Sequence, residues 1–213
     1  MKIVEIYKNF KIPPNLQEHM LRVYGIVCFI EKHWKGEHVN WELVKKIALL
    51  HDMGNIIKFN LDKHPEFLGA QESRIDYWKK VQKEIIQKYG SDEEAATRKM
   101  LEEVQVDKKS IQIIEDKAFG NSINIKDSSD WRLKLLYYAD LRTLPFGVGT
   151  LEERLSDVRA RMPKYTSRLD FEDLVSACRE IEQQIKKNID LPVSEITATS
   201  SGFDKNILSK FEI

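Results

Sequence analysis

Apolar residues recur along most of this chain at spacings of three and four, the period of a helix with one buried face. After Pro13-Pro14, Leu16, His19, Met20, Val23, Val27 and Ile30 fall on one such stripe, which runs to about His33. Asn15, with Glu18 three residues on, gives it a capping-box-like start. A second helix is predicted from Asn40, a capping residue type, with Val44, Ile47, Ala48 and His51 on its apolar face. Asp52 extends that face from Ala48. Gly54 closes the helix, since glycine tolerates the left-handed conformation in which helices commonly end.

A periodic stretch from about Glu66 to Tyr89 predicts another helix, stopped at Tyr89-Gly90-Ser91-Asp92, and a further one runs to about Val104. Ile111, Ile113 and Ile114 predict one more helical turn, whereas Phe119 to Asp130 reads as loop. Asp130 caps a helix in which Leu133, Leu136, Tyr137 and Asp140 lie at i, i+3, i+4 and i+7, and Pro145 and Gly147 terminate it. Thr150 with Glu153 opens the helix LEERLSDVRARM, and Asp170 with Asp173 opens a long one toward Asn188. From Leu191 the chain turns rich in Pro, Ser and Thr. The pattern predicts an all-α bundle of about eight or nine helices. It is read as one helical domain over residues 1–190 followed by an extension over 191–213.

Composition agrees with that class. A chain of 213 residues that is 42% apolar and 32% charged, with nine glycines and six prolines, can bury a sizeable core. Lys plus Arg and Asp plus Glu are both 34, so no global field draws the chain to nucleic acid or to an anionic membrane. The opening MKIVEIYKNF carries charges inside its apolar run and does not read as a signal peptide, and no segment is apolar enough to span a bilayer. Cys28 and Cys178 form no C-x-x-C pair. The expectation is a cytoplasmic protein with no membrane partner and none among nucleic acids.

Candidate chemistry comes from the positions that break the apolar stripes. His19, His51 with Asp52, and Asp140 each stand where the periodicity asks for an apolar residue, on segments far apart in sequence. Burying such groups costs several kcal/mol, roughly, unless they are paired or coordinate a metal. A lone histidine on an apolar face is ordinarily a hydrogen-bonded core residue, and a His-Asp dipeptide arises readily by chance. The combination is what asks for a shared partner, and two imidazoles with two carboxylates can hold a cation.

Three segments carry a resemblance to a known family. N-L-Q-E-H-M-L-R-V at 15–23, A-L-L-H-D-M-G-N at 48–55 and Y-Y-A-D-L-R at 137–142 resemble, in order and helical placement, the H…HD…D signature of the HD-domain phosphohydrolases. The run D-L-R-x-x-x-F-G-V-x-x-L-E-E-R-L from Asp140 is also similar to members of that family, so the resemblance covers roughly residues 15–163. It implies an HD-domain-like helical bundle with His19, His51, Asp52 and Asp140 as ligands of one divalent metal ion. Nitrogen and oxygen donors without thiolate suit Mn, Fe, Co, Ni, Zn or Mg.

The implied activity is metal-dependent hydrolysis of a phosphate ester of a nucleotide or other small molecule, either a phosphomonoester or a phosphodiester, by metal-activated water. Arg22, Lys58 and Arg142 are the candidates for neutralising phosphate. Relatives often pair, so a homodimer is a further expectation. Two departures stand out. Only His64 lies between the His-Asp pair and the last aspartate, and Glu93 and Glu94 stand where many relatives place a histidine, which favours a single metal. Asn55 occupies a position where relatives carry a lysine or glutamate. It cannot supply a proton, which leaves Glu94, Asp62 or water to do so. The alternative is an HD-fold module that binds metal and nucleotide for regulation and turns over weakly. A third class, a purely structural helical protein, predicts no metal.

Overall fold

The computed structural model describes residues 1–204 and 206–212. Twelve α-helices are found among the described residues: α1 (Ile3–Asn9), α2 (Pro14–His33), α3 (Trp41–Ala48), α4 (Ile75–Tyr89), α5 (Glu93–Glu103), α6 (Lys108–Asp116), α7 (Ser122–Asp127), α8 (Trp131–Leu141), α9 (Leu151–Arg161), α10 (Pro163–Thr166), α11 (Phe171–Lys186) and α12 (Ile207–Lys210). A two-stranded antiparallel hairpin, β1 (Thr143–Leu144) with β2 (Gly147–Val148), is the one sheet described. The all-α class holds, and the helix count exceeds the eight or nine expected. No described helix is long and apolar enough to cross a membrane.

The excess comes from places where local chemistry overrides period. The predicted helix from Glu66 is two elements, a 3-10 segment Pro65–Arg74 followed by α4. Gly69, at φ 54°, breaks it where a residue with a Cβ would be strained. The stretch from Phe119 to Asp130, read as loop, contains α7, whose Ser122 and Ile125 are buried. The predicted helix over His51 and Asp52 ends earlier, at Ala48. His51 and Asp52 lie in the turns between α3 and the 3-10 helix Asn55–Lys58.

Three of the predicted caps are present and two are not. Asn40 accepts from the Leu43 amide at 3.1 Å, Asp130 from the Arg132 amide at 3.0 Å, and Thr150 with Glu153 forms the expected capping box. Asn15 does not cap α2, which starts at Pro14; its amide donates to the Phe67 carbonyl instead. Asp170 makes no capping bond and pairs with Arg168 at 2.7 Å.

The chain divides into two compact units. The first comprises residues 1–21, 49–115 and the described part of 204–213. There α1 and α12 are joined by the Ile3 amide donating to the Phe211 carbonyl at 3.2 Å, and α4 packs on α5. The Tyr7 hydroxyl donates to the Leu49 carbonyl at 2.6 Å, tying α1 to the start of the turn that carries His51. The Gln82 side chain of α4 donates to the carbonyls of Ile56 at 2.7 Å and Phe59 at 2.8 Å, so the 3-10 helix is held from the other side. Around this turn Leu49, Leu50, Met53 and Ile56 are wholly buried, each contributing about 1.5–3 kcal/mol relative to exposure.

The second unit comprises residues 22–48 and 116–203. It is built on α11, which packs against α7, α8 and α9, while α8 also packs on α3. At its centre the Tyr137 hydroxyl lies 2.5 Å from Ser122 Oγ and 3.1 Å from Cys178 Sγ. Burial pushes both the phenol and the thiol upward, so this group is a protonated hydrogen-bonded core.

Candidate metal centre

In the first unit three of the four predicted ligands converge. His19 Nε2 and His51 Nε2 are 3.2 Å apart, Asp52 Oδ2 lies 3.4 Å from His19 Nε2, and Asp52 Oδ1 lies 3.6 Å from His51 Nε2. The His51 side chain is wholly buried, and those of His19 and Asp52 are 19% and 12% exposed. Flanked by Leu16 and Met20, His19 projects from α2 where the stripe placed it. The turn after α3, braced by Tyr7 and Gln82, sets His51 and Asp52.

The donor set fits a cation. Two ligand atoms each about 2.1 Å from one ion stand about 3.0 Å apart at a right angle and about 3.4 Å apart at the tetrahedral angle. The observed separations fall near these values. Two facing imidazole nitrogens with a carboxylate beside them are two lone pairs and a negative charge aimed at one place, with no thiolate among them.

Asp52 is itself held. The Asn55 amide, at the start of the 3-10 helix, donates to Asp52 Oδ2, and both residues are buried. Asn55 therefore stands behind a predicted ligand instead of acting as an acid or base. Gly54 is needed for proximity and not for a left-handed turn: its φ is −86°, but a Cβ there would lie 2.6 Å from the Glu93 carbonyl oxygen and 2.8 Å from the Thr97 amide. Its own amide donates to Thr97 Oγ1 at 2.9 Å. The first turn of α5 thus abuts the motif turn. Glu94 stands in that first turn, exposed, while Asp62 is exposed and paired with Lys79. His64 is exposed and pairs with Glu66 at 2.9 Å.

Asp140 belongs to the second unit, at the penultimate position of α8 behind the buried Tyr137 and Ala139. Its Oδ2 lies 3.3 Å from Lys117 Nζ, and their side chains are 19% and 14% exposed. Lys117 directly follows α6 and belongs to none of the motifs.

The three cations assigned to phosphate have different surroundings. Lys58 is exposed at the end of its 3-10 helix, and Arg22 is half-buried on α2. Arg142 is corrected: it is 2% exposed, and its guanidinium donates to the Gly149 carbonyl, to the Tyr138 hydroxyl at 2.8 Å, to the Val193 carbonyl at 3.1 Å and to the Ile196 carbonyl at 2.9 Å. These acceptors consume the group that the sequence offered to a substrate. Among the aromatics, Trp78, Tyr137 and Tyr138 are buried, whereas Trp34, Trp41 and Trp131 are half-buried and Trp34 meets the other two edge to face.

Comparison with known families follows the same residues. The family model described as HD domain matches residues 16–114, a stretch that contains His19, His51, Asp52, Asn55 and Glu94. That stretch, just under half of the chain, is similar to the HD domain of the metal-dependent phosphohydrolase superfamily. No curated protein and no solved structure matched it.

Proposed function

We propose that this chain is a metal-dependent phosphohydrolase that cleaves a phosphate ester of a nucleotide or other small molecule. Its divalent ion would be held by His19, His51 and Asp52, with Asp140 as the fourth ligand by its place in the motif order. The observation that carries the reading is the meeting of two imidazole nitrogens at 3.2 Å with the Asp52 carboxylate beside them. When bound, the ion supplies Lewis-acid polarisation of a phosphoryl oxygen and lowers the pKa of a coordinated water.

The chain's own groups do the rest. His19, His51 and Asp52 fix the site, and the buried Asn55 amide keeps Asp52 from turning away. Lys58 and Arg22 are assigned to phosphate contact. Glu94, on the turn of α5 that Gly54 admits beside the motif, is assigned to protonating the leaving group, because Asn55 has no ionisable proton at neutral pH.

The test is phosphate release by the full chain loaded with Mn or Co, using p-nitrophenyl phosphate, bis(p-nitrophenyl) phosphate and nucleoside monophosphates. Turnover by the parent is expected, with His51→Ala lowered about a hundredfold or more. The reading fails if no ester is cleaved or if the variant matches the parent. Asn55 also motivates a second reading, a regulatory module; tight nucleotide binding without product over long incubation would select it.

A further inference from the structure

We infer that Asn15 selects the leaving group, its Oδ1 accepting an N–H from a planar amino-substituted heterocycle such as a nucleobase. The inference rests on the proposed reading of this chain as a phosphohydrolase centred on His19, His51 and Asp52, and adds to it a residue outside the metal-binding set.

Asn15 and His19 are four residues apart on α2, so their side chains share one face of the helix, with Cβ atoms about 6 Å apart. The Asn15 amide is fixed in orientation, because its Nδ2 donates to the Phe67 carbonyl in the 3-10 segment Pro65–Arg74. Its Oδ1 is buried and has no hydrogen-bond partner among the described residues. A buried amide oxygen that has given up water without gaining a donor is destabilising, and native proteins keep few such groups. A donor that arrives with a ligand accounts for one kept a single helical turn from a metal ligand. Since Nδ2 is engaged, only the acceptor is on offer.

The segment after the metal motif supplies flat, half-buried rings. Phe59 directly follows Lys58, the cation assigned to phosphate, and its ring lies 5.8 Å from that of Phe67, the residue whose carbonyl holds Asn15. The His64 ring is 5.3 Å from Phe67. All of these residues belong to the first unit. Aromatic rings favour a flat ligand, and an acceptor with no donor beside it favours an amino group over a carbonyl. Such a site discriminates against an analogue lacking the N–H, because its oxygen then stays unpaired.

That discrimination is the test. Full-length parent, Asn15→Leu and Asn15→Ala proteins are titrated calorimetrically with adenosine monophosphate and cytidine monophosphate, and with the analogue of each in which hydrogen replaces the amino group. The parent is expected to bind the amino form of at least one pair about tenfold tighter than its analogue. In Asn15→Leu the preference should fall to within about twofold, through lost affinity for the amino form alone. Asn15→Ala should behave alike and serves if circular dichroism shows the Leu variant unfolded, while the comparison within the parent needs no variant. Equal affinities within both pairs overturn the inference and leave the Oδ1 to a water. No binding of either nucleotide overturns it as well. So does a preference that persists in the folded variants, or a joint weakening of both members of a pair, which would mark Asn15 as a brace for the Phe67 segment. Mn titration of the parent reads the metal site separately: Mn uptake without an amino preference leaves that site standing and sinks this inference alone, whereas a parent that takes up no Mn removes both.

Discussion

Asn55 and Arg142 show how a residue's type and its duty can part. Asn55 sits where an acid or base was sought and instead donates to the Asp52 carboxylate. Groups that orient a ligand from behind typically contribute ten- to a hundredfold to metal affinity. Asn55→Ala is therefore expected to weaken Mn binding by about that factor while the protein stays folded, as read by calorimetric titration. Arg142 binds the segment from Val193 to Ile196 through its guanidinium, so Arg142→Met should lower unfolding free energy by about 2–4 kcal/mol in denaturant titration. An unchanged midpoint would contradict this role. His19, His51 and Asp52 were legible in sequence because each interrupts an apolar period, a local signal. The duty of Arg142 was not, because its acceptors Val193 and Ile196 lie 51 and 54 residues away.

At the level of elements, the site depends on a turn that two helices hold and a third closely approaches. Tyr7 of α1 and Gln82 of α4 fix its two sides, and α5 reaches it because Gly54 leaves room. Gly54→Ala would force the α5 start away from the turn and is expected to cost about 1–3 kcal/mol and to weaken Mn binding; a melting curve superimposable on the parent's would refute the contact. The predicted helix through Asp52 failed because the stripe of Ala48, His51 and Asp52 continues the helical period although the backbone leaves it after Ala48. Periodicity reports which side chains face inward and not which conformation delivers them. For the same reason α7 was missed: it is six residues long, and its stability comes from packing on α11, which no local window contains.

On the scale of the whole molecule, the chain interleaves its two units, each drawing on segments distant in sequence. The second unit is predicted to be acid-sensitive. Asp130 is held below the usual carboxylate range by its hydrogen bond to Arg132, and Asp190 by Lys35 and His33. A carboxyl lowered on folding stabilises the protein above its unfolded pKa of about 3.9, and that contribution is lost as pH falls through the folded value. Asp130→Asn, which keeps a side chain able to cap α8, should retain stability within about 1 kcal/mol at neutral pH and show a shallower fall in melting temperature below about pH 4. A profile identical to the parent's would argue against the Arg132 pairing.

The most direct test of the metal site is elemental analysis of parent, His51→Ala and Asp140→Ala proteins purified side by side without chelator. The account predicts close to one divalent metal ion per parent chain, from the set Mn, Fe, Co, Ni, Zn or Mg, and its loss in both variants. A parent with no bound metal that takes up neither Mn nor Co on addition would contradict it.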